Sequence, residues 1–66
     1  MADRYVVEIA HRERGTLHVT HHADEGSAKA QYDLQKDTYG ETPDTYVVLW
    51  DLERAQAVYD TRRDED

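Results

Sequence analysis

From Tyr5 to Ala10, and again from Leu17 to His22, apolar and polar residues alternate with the two-residue period of a half-buried strand. Between them Arg12-Glu13-Arg14-Gly15 predicts a hairpin turn, with Gly15 in the left-handed position that follows a type I turn. A loop from Glu13 to Gly15 pairs Arg12 with Thr16 and sets Ile9 opposite Val19, Val7 opposite His21 and His11 opposite Leu17. This register gathers Tyr5, Val7, Ile9, Leu17 and Val19 on one face and leaves Val6, Glu8, Ala10, His18, Thr20 and His22 on the other. One more loop residue would set Ile9 against His18 and mix apolar with polar on both faces, so burial favours the first register.

Ser27 has the chemistry of a helix N-cap and predicts a helix from Ala28 to about Tyr39, with Gly40 placed to end it and Pro43 opposing a restart. Ala28, Tyr32 and Tyr39 fall on one narrow stripe of that helix, while Leu34 lies well round the cylinder. Lys29 with Asp33, and Asp33 with Lys36, have the spacing of exposed surface pairs.

A second hairpin echoes the first: Tyr46-Val47-Val48 leads to Leu52-Glu53-Arg54-Ala55 as Tyr5-Val6-Val7 leads to Arg12-Glu13-Arg14-Gly15. Here no register is one-sided. With a two- or four-residue loop around Glu53-Arg54, one face holds Tyr46, Val48, Trp50, Ala57 and Tyr59, and the other holds Val47, Leu49 and Val58. With a three-residue loop Trp50 faces Val58 and Leu49 faces Tyr59. A strand apolar on both faces usually has both covered, and one short helix covers only one side of a sheet.

The predicted fold is therefore α+β: a ββαββ chain forming a four-stranded, mainly antiparallel sheet with one helix packed on one face, as a single domain over residues 1–61. Strand order 2-1-3-4 keeps all neighbours antiparallel and gives the helix a right-handed crossover. Residues 62–66 read as a charged, disordered tail, and Met1 with this charged end reads as a complete gene product.

Charge changes the picture in one respect. Fifteen acids against eight Lys and Arg give a net charge of -7, spread along the chain, and such a surface repels nucleic-acid phosphates. Direct DNA or RNA binding is disfavoured, whereas the acidic residues Asp24, Glu25, Asp33, Asp37, Glu41 and Asp44 around the helix could imitate a nucleic-acid backbone. The 66 residues contain no cysteine, so disulfides cannot supplement a thin core. No apolar run is long enough for a membrane span and the N-terminus lacks a signal-peptide pattern, which points to a soluble cytoplasmic protein without membrane partners.

Candidate chemistry is sparse. His11, His18, His21 and His22 invite a zinc reading, but on a strand His21 points away from His18 and His22, and those two stand about 13 Å apart at about 3.3 Å per residue, too far to share an ion. Ser27 is already engaged as a cap, and a domain of this size has little room for an enclosed pocket. No metal, cofactor or catalytic residue is therefore assigned, and the chain is read as non-enzymatic. The apolar set Tyr46, Val47, Val48, Leu49, Trp50, Val58 and Tyr59 supplies candidate interface residues, because aromatic groups concentrate in protein interfaces. The expectation is a small acidic interaction module, a homodimer or a regulator docking on a larger protein through whichever side of the second hairpin the helix leaves bare. The alternative is an acidic decoy that inhibits a nucleic-acid-binding protein.

Overall fold

A computed structural model describes residues 3–39 and 42–64 of the chain. The elements run β1 (Tyr5–His11), β2 (Gly15–His22), α1 (Glu25–Tyr39), β3 (Thr45–Asp51), β4 (Gln56–Asp60) and a short helix α2 (Thr61–Asp64). The strands form one antiparallel sheet in the order β2-β1-β3-β4, so the α+β ββαββ architecture and the strand order both match the expectation.

The two hairpins close by the same device. In the first, His11 Nδ1 accepts the backbone N–H groups of Glu13 (3.1 Å) and Arg14 (3.2 Å), and Gly15 takes a φ of 82°. In the second, Asp51 Oδ1 accepts those of Glu53 (3.0 Å) and Arg54 (3.3 Å), and Ala55 takes a φ of 54°. In each case the last strand residue folds a side-chain acceptor over the turn, mimicking a backbone turn.

The first hairpin departs from the expected register. Val7 faces Thr20 and Ile9 faces His18, while Ala10 faces Thr16, so Leu17 is an extra residue in a bulge. The pairing that the one-sided pattern disfavours is thus the one adopted. Its physical reason lies in the position of β2 at the sheet edge: α1 packs over β3 and β1, so the helix-side positions of β2 need not be apolar, and His18, Thr20 and His22 occupy them.

The core lies between α1 and the sheet and consists of Tyr5, Val7, Ile9, Ala28, Tyr32, Val47 and Leu49, with Tyr39 and Val58 packed against it. Tyr32 is fully buried and its ring meets that of Tyr59 at 5.5 Å, so tyrosine serves where a phenylalanine-free chain needs bulk. Ala28, Tyr32 and Tyr39 make the narrow stripe that the helical period predicts, and Leu34 is exposed.

The helix starts earlier than Ser27 suggests. Asp24 is the cap: its Oδ1 accepts the Ser27 N–H at 2.7 Å and its carbonyl accepts the Ala28 N–H at 3.2 Å. A carboxylate satisfies the first-turn donors better than the Ser27 hydroxyl because its charge also complements the helix N-terminus. At the other end the Tyr39 carbonyl accepts the Thr42 N–H (3.0 Å), and Thr42 in turn accepts from Thr45 N–H (3.2 Å), steering the chain into β3. Gly40, the expected terminator, lies outside the described residues. The charged tail expected from 62 onward begins instead with α2, which places residues 61–64 in a helical turn; residues 65–66 lie outside the described residues.

The open sheet face as candidate interface

Antiparallel partners share a face, so the three ladders sort every strand residue. On the side turned away from α1, one row runs His21, Val6, Trp50, Ala57 across the four strands, and the next runs Val19, Glu8, Val48, Asp60. A third row runs Thr16, Ala10, Tyr46 and is continued by Arg62 of α2, whose guanidinium lies 4.0 Å from the Tyr46 ring centroid. The second side of the sheet is thus largely apolar and aromatic.

This arrangement separates the candidate interface residues. Val47 and Leu49 are wholly buried beneath α1, Val58 packs against the same core as a bulged residue, and Tyr59 covers Tyr32 at the sheet edge. Tyr46, Val48 and Trp50 belong to the open face. Three further residues complete that face: Val6 and Ala10, which alternate along β1 with Tyr5, Val7 and Ile9, and Val19, which the expected register sets on the core side and the observed pairing with Glu8 turns to the open one.

The open face already shelters part of itself. Val48 has no exposed surface, Ala10 is 2% exposed and Val6 8%, although α1 lies on the other side of the sheet. Val48 is flanked across the strands by Glu8 and Asp60 and along β3 by Tyr46 and Trp50, whose half-exposed rings lean on the sheet. Two polar networks pin these side chains. Trp50 Nε1 donates to Glu8 Oε1 at 3.0 Å, and the Thr16 hydroxyl donates to Glu8 Oε2. Arg62 donates to Asp60 from Nη2 at 2.6 Å and from Nε at 3.1 and 3.2 Å, and Asp60 Oδ1 also accepts the Arg62 backbone N–H at 2.9 Å. The paired carboxylate holds the Arg62 guanidinium above its already high usual value. Thr61 Oγ1 accepts the Val47 N–H at 3.1 Å, so α2 finishes the edge where β4 stops. No buried side-chain nitrogen or oxygen among the described residues lacks a hydrogen-bond partner.

At the end of the sheet near the second turn, Arg4 donates to Asp51 from Nε (3.2 Å) and Nη2 (3.1 Å) and lies 3.3 Å from Glu53. That fork, together with the turn amides, holds the Asp51 carboxyl below the usual aspartate range. Its role is structural, tying the start of β1 to the second turn.

The remaining candidates do not converge on one place. His11 is a turn acceptor, the His22 ring meets the Thr20 hydroxyl at 2.9 Å, and His18 and His21 are exposed on opposite faces. Among the described residues, no group of three or more His, Asp or Glu side chains is placed to hold a metal ion. Of the acidic set, Asp24 caps α1, Asp33 pairs with Lys29 at 2.8 Å, and Asp44 sits at a φ of 62° with its carbonyl accepting the Arg12 N–H at 2.8 Å. Glu25 and Asp37 are exposed, and Glu41 lies outside the described residues. Among the described residues, no helix is long and apolar enough to cross a membrane.

The chain matches no family model, no curated protein and no solved structure among those compared.

Proposed function

We propose that this is a non-enzymatic interaction module of the cytoplasm, a small regulator that docks on a larger protein by burying the open face of its sheet. The observation that carries this reading is the apolar group Val6, Tyr46, Val48, Trp50 and Ala57 on the side opposite α1, with Val19 set beyond Glu8 and with Tyr46 and Trp50 supplying its half-buried rings. Docking there removes apolar area from water, and the half-exposed Trp50 and Tyr46 rings supply the large, rigid contacts that dominate such interfaces. Glu8 and Arg62, fixed at known places on that face, give a partner polar groups to match and so set orientation. The acidic-decoy alternative is not adopted: its charges are interleaved with Lys29 and Lys36 along α1, and Asp24 and Asp33 are engaged within the helix.

Affinity capture from the native host with the wild-type chain, Trp50→Lys and Leu34→Glu tests the proposal. Lysine at 50 removes the ring and adds a charge on the open face while leaving Glu8 an ion-pair partner; Leu34 is exposed on the outer side of α1. The expected result is a defined partner retained by wild type and Leu34→Glu and lost with Trp50→Lys, with binding that changes little as salt rises. Equal capture by all three chains, or capture abolished by moderate salt, overturns the proposal.

A further inference from the structure

The two sheet edges are unequal. β4 has five residues, carries a bulge at Val58 and runs straight into α2, where the Asp60–Arg62 pair sits. β2 has eight residues with a bulge at Leu17 near its start; from His18 to His22 its ladder with β1 is regular, and the strand contains no Lys, Arg, Asp, Glu or Pro. Charges and prolines are the usual guards of an exposed edge, and here they are missing from the longer one.

What flanks β2 indicates what would fit it. At its start lies the exposed turn Arg12-Glu13-Arg14, in which two arginines outweigh one glutamate; just past its end lie Asp24 and Glu25, also exposed. A second β2 laid antiparallel against the first, centred near Thr20, would bring the basic turn of each copy beside the acidic end of the other, twice about one two-fold axis. For a chain of net charge -7, this acid-free strand with opposite charges at its two ends lets a second copy approach where repulsion is least.

We infer that the free edge of β2 pairs antiparallel with β2 of a second copy, forming a symmetric dimer with one continuous eight-stranded sheet. This goes beyond the docking of the open face and stands independently of it, but it alters that face. Four strands about 4.8 Å apart and about 20 Å long present roughly 400 Å² in projection, below the roughly 800 Å² per partner of a standard interface. Because the two-fold axis runs perpendicular to the sheet, both helices fall on one side and both open faces on the other, doubling the surface to the standard size.

Sedimentation equilibrium over a wide concentration range, with amide hydrogen exchange on the same samples, tests the dimer. The expected result is a reversible dimer whose amides between His18 and His22 gain protection as concentration rises. Arg12→Glu combined with Arg14→Glu should weaken it about tenfold or more, Glu25→Arg added to that pair should restore it, and Trp50→Lys should leave it intact. A monomer at about 1 mM overturns the inference, as does a dimer indifferent to the arginine reversals. A dimer abolished by Trp50→Lys overturns it too and places self-association on the open face. Loss of partner capture with an intact dimer, or the reverse, separates the two proposals.

Discussion

Val47 and Val48 are adjacent, identical and both without exposed surface, yet one lies under α1 and the other on the face turned away from it. Truncating each to alanine measures how differently the two faces are built. The change removes two carbon groups, worth about 0.8 kcal/mol each, or about 1.6 kcal/mol in transfer free energy. Under the helix the void stays open, because Tyr32, Ala28 and Leu49 are held by the core; about 50 Å³ at about 24 cal/mol per Å³ adds about 1.2 kcal/mol. Val47→Ala is therefore expected to cost about 2.8 kcal/mol. Val48 has only the half-buried Tyr46 and Trp50 beside it along the strand, so its truncation leaves a notch that water can reach and no enclosed void, and is expected to cost only about 1.6 kcal/mol.

At about 0.05–0.15 kcal/mol per residue, the whole domain is stable by roughly 3–10 kcal/mol, so both losses are measurable and Val47→Ala approaches the limit of folding. Urea titrations followed by far-ultraviolet circular dichroism at low protein concentration give the comparison, with unchanged slopes required for the midpoints to be read as stability. A Val48→Ala cost equal to or above that of Val47→Ala would refute the reasoning, since it would mean the open face is as rigidly enclosed as the core.

Asp51 carries an acid dependence. Its folded pKa is lowered, chiefly by hydrogen bonding from Arg4, so its contribution is fully present above the unfolded value of about 3.9 and is lost as pH falls through the folded one. Thermal melts below about pH 4 should show this loss in the wild type and a flatter profile in Asp51→Asn. Asp24→Ala should destabilise α1 by about 1 kcal/mol, whereas Ser27→Ala should stay within about 0.5 kcal/mol, as read by denaturant midpoints. Ala55→Gly should raise the melting temperature, because a left-handed φ of 54° is strained for a side chain and relief of about 1 kcal/mol exceeds the added chain entropy.

The architecture was legible because local signals agreed: alternating strands, a turn glycine at Gly15, a helical stripe of Ala28, Tyr32 and Tyr39, and a second apolar strand too rich for one face. Register was not, and the reason is instructive. Choosing it by burial assumes that both strands of a hairpin lie under the same cover, and β2 does not, since Leu17 is 48% exposed while Val7 is 1%. The cap was misplaced because Asp24 and Ser27 both have capping chemistry and nothing in the local sequence ranks them. The open face was half legible: Tyr46, Val48 and Trp50 were in view, but β1 reads as alternating only if Val6 and Ala10 are counted with the polar side, and they are buried.

That both sides of β1 and β3 are apolar bears on how so small a chain stays folded. The helix covers Val7, Ile9, Val47 and Leu49, and the same strands must find shelter for Val6, Ala10 and Val48 from rings that remain half exposed. Stability and availability therefore compete on one surface: the more tightly Trp50 and Tyr46 close over Val48, the less apolar area is left to bury against a partner. Association resolves the competition, because anything that binds only the folded state adds to its stability in proportion to the logarithm of its concentration. With a second copy as that ligand, the urea midpoint should rise with protein concentration in the wild type. At about a hundredfold above the dissociation constant the gain is about 2.7 kcal/mol, a large fraction of the domain's own stability. In Arg12→Glu with Arg14→Glu the midpoint should barely move over the same range, and a wild-type midpoint equally indifferent to concentration would show that the domain stands on its own two faces.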